Sequence, residues 1–200
     1  MNDQKSVTND TFYAHVFWLD EWFTPAKHDI LHITDQVHHT IFKELTTLHW
    51  KEPDIIAQLN ALQERFGAKV IEVIAMVVAE NSRRDWAEIA RHEKSHTIDD
   101  LIRVLWGPGR EKGCEFTMQP HENGVQMRCT RCPYVELGKK VNGTKWLYYL
   151  VCMADPYIVE GFNPNMGFRR TKTLMEGHEC CDHFYFMKES LDSVKFAGNP

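Results

Sequence analysis

The stretch FRRTKTLMEGHECCDHFYF, residues 168–186, concentrates more chemically active side chains than any other part of the chain and decides how its sheet ends. Apolar and polar residues alternate on both sides of a glycine turn, which predicts two strands over residues 168–174 and 180–188. Cys181 and His183 share one face of the second strand. Because acids, imidazoles and thiols are costly to bury alone, we expect the rest of the chain to supply their partners.

Another strand pair precedes this stretch. Residues 114–119 and 125–129 alternate in the same way, and Asn123-Gly124 between them is a strong signal for a tight hairpin turn. Residues 146–153 fit either a strand or a helix, and a loop is expected over residues 155–165. The second half of the chain therefore predicts a mostly antiparallel sheet with short connections.

The first half shows helical periodicity instead, with apolar residues every three or four positions. The predicted helices cover residues 11–23, 25–45, 54–66, 70–92 and 98–106. Gly67 and Thr97 are typical end and start signals, and Gly107-Pro108-Gly109 marks the change of pattern. We therefore expect an α+β fold in which an N-terminal helical layer packs on a mostly antiparallel C-terminal sheet.

The domain organisation follows from the same division. Residues 1–10 are polar and are expected to be disordered. Residues 11–106 form the helical layer, and residues 107–190 form an α/β part that binds a ligand or carries catalysis. A chain of 200 residues with 43% hydrophobic content suffices for a single good-sized core, so both parts are expected to form one compact domain.

The composition excludes two classes of partner. A net charge of −5 and a pI near 6.1 argue against nucleic acid. The N-terminus lacks an apolar signal region, and the most apolar run, residues 70–79, is shorter than a membrane span and contains Glu72. We therefore expect a cytoplasmic protein with no membrane partner. The same run is apolar on nearly every side, which indicates a central helix or an interface in a homo-oligomer.

All six cysteines lie in the second half, a pattern that in a reducing compartment favours metal ligands, nucleophiles or buried thiols over disulfides. Cys129-x-x-Cys132 has zinc-knuckle spacing, and only one of Cys180 and Cys181 can face a site shared with it, because adjacent strand residues point to opposite faces. His28 and His32 are also spaced as metal ligands on a helix, but a solvated or core-flanking helix face is the favoured interpretation, since no carboxylate or cysteine joins them at matched spacing.

A catalytic site is the other hypothesis for these residues. Cys181 is the candidate nucleophile, with His178 or His183 as general base and Asp155 or Asp182 as the group that orients the base or donates a proton. A thiolate needs a nearby cation to lower its pKa, and the histidines and a neighbouring arginine are candidate sources. The alternative interpretation of Cys181 is a buried core thiol.

A substrate-binding role is expected for Arg170. Its guanidinium can hold a substrate carboxylate through two parallel hydrogen bonds. Alternatively, it pairs with Asp155 or Asp182. Asn163 and Cys152, which precede it in the chain, are further candidates for substrate contact.

Several short motifs occur in an order that resembles a known family. They are Cys132-Pro133, Cys152-x-x-Asp155, Gly161-Phe162-Asn163-Pro164 and Arg170-x-x-x-Leu174-x-x-Gly177-x-x-x-Cys181-Asp182. Over residues 110–188 this set resembles the L-2-amino-thiazoline-4-carboxylic acid hydrolase family. The resemblance implies an α/β domain that opens a cyclic isothiourea by hydrolysis. The chain departs from the family pattern at His178 and His183, where an aspartate and an aromatic residue are usual.

The leading hypothesis is therefore a small hydrolase that cleaves a C–N bond of a cyclic amidine-like or isothiourea-like small molecule, with no certain cofactor. The alternative is a non-catalytic sensor, since the hairpin is more distantly similar to vinyl-reductase-type ligand-binding domains; zinc would then be held by Cys132, Cys152 and Cys181. A third hypothesis is a structural partner protein that uses the apolar helix at residues 70–78 as an interface.

Overall fold

The computed structural model describes residues 19–24 and 33–188 of the chain. Its first half contains helices α1 (Leu19–Trp22), α2 (Gln36–Thr46), α3 (Ile55–Phe66), α4 (Lys69–Arg91) and α5 (Ile98–Glu111). Its second half contains β1 (Glu115–His121), β2 (Gly124–Arg131), α6 (Pro133–Lys140), α7 (Thr144–Leu150), α8 (Asp155–Phe162), β3 (Met166–Arg169) and β4 (Cys181–Met187), with short 3-10 helices at Cys152–Ala154 and Leu174–Glu176. The segment 1–10, most of the helix predicted over residues 11–23, and the pair His28 and His32 lie outside the described residues.

The described strands form one antiparallel sheet in the order β1-β2-β4-β3. Strand β4 lies between β2 and β3, and its register places Cys181 opposite Cys129 and His183 opposite Met127. Cys181, His183 and Tyr185 are 7%, 5% and 0% exposed, because their face of β4 is covered by the helices. The predicted α+β fold with an antiparallel sheet is confirmed.

Helix α4 is the centre of the helical layer. Its apolar residues Val70, Val73, Ile74, Val77 and Val78 are fully buried, and the helix contacts α2, α3, α7 and α8. The prediction of a central helix is therefore confirmed, since one chain already covers all of these side chains. In the part of the chain that the structure describes, no helix, α4 included, is long and apolar enough to cross a membrane.

Local signals end and begin the helices where the sequence predicts. Gly67 follows α3 with a φ of 66°, a backbone conformation that favours glycine. Thr97 caps α5 reciprocally: its hydroxyl accepts the Asp100 N–H at 3.2 Å, and the Asp100 carboxylate accepts the Thr97 N–H at 3.1 Å. These caps fix the ends of the two helices that flank α4 in sequence.

Two predicted boundaries are wrong. Helix α5 continues through Gly107-Pro108-Gly109 to Glu111 and crosses the expected division at residue 106, because Pro108 removes only one backbone hydrogen bond near the surface. The loop expected over residues 155–165 is instead helix α8, since Pro156 occupies its first turn, where no N–H is needed. Residues 146–153, which fitted a strand or a helix, are helical.

A glycine sets the distance between α4 and α8. A Cβ added at Gly161 would lie 2.4 Å from the carbonyl oxygen of Arg83 and 2.9 Å from its Cα. These are backbone atoms of α4, which cannot move aside as a flexible side chain can. The contact therefore holds α8 against the central helix and fixes the position of Asp155 in its first turn.

Two Gly→Ala substitutions in helices test this contact. Gly161→Ala should lower the free energy of unfolding by about 1–3 kcal/mol, because the added methyl forces two backbones apart. Gly109→Ala is the control, since its added Cβ would make only ordinary van der Waals contacts, at 3.5 Å from Cys114 Sγ and 3.9 Å from Cys114 Cβ; it should leave the stability unchanged or raise it by up to about 1 kcal/mol. Urea denaturation measures both, and equal effects of the two substitutions would contradict the close packing of α4 on α8.

Candidate active site

A cavity of about 430 Å³ lies between the helical layer and the inner face of the sheet. Its walls are largely apolar and come from α1, α4, α5 and α8. The principal apolar lining residues are Trp22, Trp86, Val104, Leu105, Trp106 and Ile158. A cavity of this size and character is typical of small-molecule sites.

One ionic cluster, formed by Arg170, Asp155 and His183, lies on the cavity wall. Arg170 Nη1 donates a short hydrogen bond to Asp155 Oδ2 and a second one, of 3.0 Å, to the Cys152 carbonyl oxygen. His183 Nε2 lies 3.2 Å from the same Oδ2. The side chains of Arg170, Asp155 and His183 are 10%, 17% and 7% exposed, so the cluster is mostly withdrawn from solvent.

Several polar atoms of this cluster make no hydrogen bond within the described part of the protein. Among the described residues, Asp155 Oδ1 accepts no hydrogen bond, and Arg170 Nε and Nη2 donate none. The protein therefore holds one carboxylate oxygen and one guanidinium nitrogen in place and leaves the remaining polar atoms for a ligand.

Three separate elements bring the cluster together. Asp155 begins α8, His183 lies in the middle of β4, and Arg170 directly follows β3. Because β3 pairs with β4, with Arg169 opposite Phe184, Arg170 reaches the end of α8 that carries Asp155. The cluster thus depends on strand register and on the packing of α8.

His183 positions the carboxylate. We assign its proton to Nε2, since the neighbouring Asp155 oxygen can only accept. Its Nδ1 is buried without a hydrogen-bond partner, and the edge of Trp106 packs on the ring with centroids 5.0 Å apart. His183 therefore has no nitrogen through which it could act as the predicted base, because Nδ1 is buried and Nε2 binds Asp155.

The thiols in the cavity wall are neutral at physiological pH. Burial raises the pKa of Cys181 to about 11, although the Leu174 N–H donates to its Sγ at 3.2 Å. Burial also raises the pKa of Cys152 well above its usual value, and Asp155 adds to the effect. Desolvation raises the pKa of Cys181 by more than Arg170, the expected nearby cation, lowers it, so the net shift favours the thiol.

Asp182 has a structural role on the other side of β4. Its carboxylate accepts hydrogen bonds from the backbone N–H of Thr171 at 2.8 Å and of Lys172 at 2.6 Å. These bonds explain why the strand predicted over residues 168–174 ends early: its backbone donors bind a side chain instead of a neighbouring strand. Asp182 does not line the cavity.

Two more predicted site residues lie elsewhere. His178 is exposed in the turn before β4 and does not line the cavity. Asn163 closes the end of α8: its Nδ2 donates to the His96 carbonyl at 2.8 Å, and its Oδ1 accepts the Asn165 N–H at 2.9 Å. The structure therefore brings Cys181, His183, Asp155, Arg170 and Cys152 together and leaves out His178, Asp182 and Asn163.

The described residues contain no group of three His, Cys, Asp or Glu side chains placed to hold a metal ion. The predicted zinc ligands Cys132, Cys152 and Cys181 thus receive no support as a ligand set. A side-chain hydrogen bond with Cys114 raises the pKa of Cys132, so this thiol too is protonated. Of these residues, Cys152 and Cys181 line the cavity.

Sequence reasoning missed the contribution of the helices. Trp106 on α5 donates from Nε1 to the Tyr185 hydroxyl at 3.0 Å and packs on His183. On α4, Ser82 lines the cavity with a buried hydroxyl that has no hydrogen-bond partner. Both residues occur in ordinary helical patterns, so the sequence carries no signal that separates them from the core.

These features define the class of the protein: an α+β domain with a cavity of small-molecule size. The model of the L-2-amino-thiazoline-4-carboxylic acid hydrolase family matches residues 49–185, more than half of the chain. The chain therefore belongs to this family, and the resemblance noted in the sequence is confirmed.

Other comparisons add little. No curated protein matches the chain. Among solved structures, an Fe(II) unliganded H-NOX protein from K. algicida superimposes with a TM-score of 0.47 and 11% sequence identity, over 86% of this chain and 96% of that chain.

The raised pKa of Cys181 predicts the pH profile of its alkylation. Because the thiolate is the reactive form, the rate of iodoacetamide modification in the folded protein should rise about tenfold per pH unit from pH 7 to pH 10 and level off near 11. Peptide-resolved mass spectrometry measures the rate of Cys181 modification at each pH. In guanidinium the same residue should level off near pH 8.5. Identical profiles for folded and unfolded protein would show that burial does not control this thiol.

Proposed function

We propose that this protein hydrolyses a C–N bond in a small cyclic amidine or isothiourea that carries a carboxylate. The observation that carries the proposal is the Arg170–Asp155–His183 cluster, which lies on the cavity wall and leaves polar atoms free for a ligand. Membership of the hydrolase family supports the class of reaction.

Arg170 binds the substrate carboxylate in this proposal. Its Nη1 is held by Asp155 and by the Cys152 carbonyl, so the guanidinium plane is fixed before a ligand arrives. Nε and Nη2 make no hydrogen bond to a described residue, and two parallel N–H donors match the two oxygens of a carboxylate. The substrate is therefore oriented by a preorganised cation in an apolar setting, where charge interactions are strengthened.

Asp155 is the general base. Its Oδ2 is occupied by Arg170 and His183, and Oδ1 takes a proton from a water molecule as the water oxygen bonds to the amidine carbon. The same carboxyl group then gives that proton to the ring nitrogen and becomes a carboxylate again. The hydroxyl proton of the tetrahedral carbon passes to the same nitrogen as the C–N bond breaks and the carbonyl forms, so the product carries a free amine. His183 keeps Oδ1 aimed by holding the other oxygen, which makes it a positioning residue.

Cys181 forms part of the wall in this mechanism. A thiol whose pKa is raised to about 11 is a poor nucleophile at neutral pH, since only the thiolate attacks. Water activated by Asp155 therefore replaces the thiolate attack that the sequence favours.

The test of the base is Asp155→Asn, assayed for ring opening of 2-amino-thiazoline-4-carboxylate. The amide keeps the size of the side chain and an oxygen for Arg170 and His183 but accepts no proton, so kcat should fall by about 10²–10⁴-fold. His178→Gln is the control, because His178 is exposed and outside the cavity; it should stay within about twofold of the parent. Full activity in Asp155→Asn would eliminate Asp155 as base.

Cys181→Ala separates water attack from thiolate attack. With water as nucleophile, the variant should keep at least about a tenth of the parent kcat, since it loses only a buried contact of the wall. Loss of all turnover, with a melting temperature close to that of the parent, would restore Cys181 as the nucleophile and refute the mechanism above. The assay is the same ring-opening reaction, followed by release of the primary amine that C–N cleavage produces.

A binding protein without catalysis is the second candidate, and the neutral thiols and apolar walls of the cavity favour it. In that case the carboxylate ligand binds to Arg170 and no product forms. Calorimetric binding with no turnover, unchanged by Asp155→Asn, would select this candidate over the hydrolase.

A further inference from the structure

We infer that the ligand carries an apolar, ring-sized substituent in addition to its charged head group. The chemistry of the head group rests on the proposed function. The substituent is inferred from the size of the cavity and from its apolar lining.

The cavity is too large for the compound that names the family. At roughly 30 Å³ per water-sized group, a cavity of about 430 Å³ accommodates about 14 such groups. L-2-amino-thiazoline-4-carboxylic acid has only about nine non-hydrogen atoms, which are packed more densely than waters. A ligand of that size would leave room for several further groups, and the apolar walls around that room would lose contacts.

The cavity has an aromatic and aliphatic lining besides the ionic cluster. Trp86 on α4, Leu105 and Trp106 on α5, and Ile158 on α8 face the cavity. Trp106 is held in place by its hydrogen bond to Tyr185, and Trp86 packs edge-on against Phe162 with ring centroids 6.2 Å apart. These walls are therefore preformed and suit a flat apolar group.

Two further polar residues of the lining, Asp85 and Cys114, offer no free charge to a ligand. Asp85 lines the cavity, but its Oδ2 accepts the Trp22 indole N–H at 2.9 Å and its Oδ1 accepts from Arg84 at 2.7 and 3.0 Å. A hydrogen bond with Cys129 raises the pKa of Cys114 to about 11, so this lining thiol is neutral and behaves as a small apolar group. Among the described lining residues, the buried charged atoms left free for a ligand are therefore those of Asp155 and Arg170, and Lys112 adds one exposed cation.

Binding of two probes tests the inference without any need for turnover. The probes are 2-aminothiazole-4-carboxylate and its 5-phenyl derivative, whose aromatic rings resist hydrolysis. Burying the phenyl group should make the second compound bind about 10- to 100-fold more tightly. Isothermal titration calorimetry gives the dissociation constants, and quenching of tryptophan fluorescence reports filling of the cavity, since Trp22, Trp86 and Trp106 line it. Equal or weaker binding of the phenyl compound would overturn the inference.

A cavity-filling variant locates the substituent. Leu105→Trp places an indole in the proposed subsite and should reduce the preference for the phenyl compound by about tenfold or more. Val37→Trp is the matched control, because Val37 is 39% exposed and does not line the cavity; it should leave the preference unchanged. An unchanged preference in Leu105→Trp would place the phenyl group elsewhere and contradict the proposed subsite.

Measuring kcat/KM for the unsubstituted and the phenyl-substituted thiazoline distinguishes a failure of this inference from a failure of the proposed function. If the unsubstituted thiazoline is opened with the higher kcat/KM, the hydrolase stands and the substituent is refuted. If the phenyl probe binds tightly but neither thiazoline is opened, the inference stands and the hydrolase is refuted.

Discussion

The ion pair between Arg170 and Asp155, with His183 on the same carboxylate oxygen, is the interaction on which the site depends. Taking two charges out of water is costly, and their attraction offsets that cost only when the geometry is good and the remaining polar atoms find partners. Here the Cys152 carbonyl accepts a hydrogen bond from Arg170, and the His183 ring binds Asp155, so some of the remaining polar atoms have partners. The atoms left over, Asp155 Oδ1 and two guanidinium nitrogens of Arg170, are those that a ligand would complete.

This arrangement requires the rest of the fold to be rigid. Strand β4 is central in the sheet, so the inward direction of His183 is fixed by hydrogen bonds on both sides. Helix α8 is held by α4 through the close approach at Gly161, which places Asp155. The buried hydrophobic residues form one continuous core across both layers. A small shift of either layer would separate Asp155 from its partners.

Burial determines the protonation state of the thiols in the cavity wall, contrary to what their neighbouring residues suggest. Cys181 lies in the same cavity wall as Arg170, as the sequence suggests, and Arg170 does favour its thiolate. Desolvation is the larger effect because the apolar helices cover the inner face of β4. The same cover keeps Cys152 protonated. Catalysis by a carboxylate and water is therefore more compatible with this cavity than thiolate chemistry.

The sequence by itself determined the α+β class, the hairpin of β1 and β2, the central helix and the family, because hydrophobic periodicity, turn residues and ordered motifs are local properties of the chain; the turn itself is Glu122-Asn123, one residue before the predicted Asn123-Gly124. It also identified Arg170, Asp155, His183, Cys181 and Cys152 as candidates. It did not separate them from His178, Asp182 and Asn163, whose residue types suit the same chemistry. Only the tertiary structure decided which side chains face the cavity, which oxygen of Asp155 stays free, and that Trp106 and Ser82 line the site, since these depend on strand register, on desolvation and on helices distant in sequence.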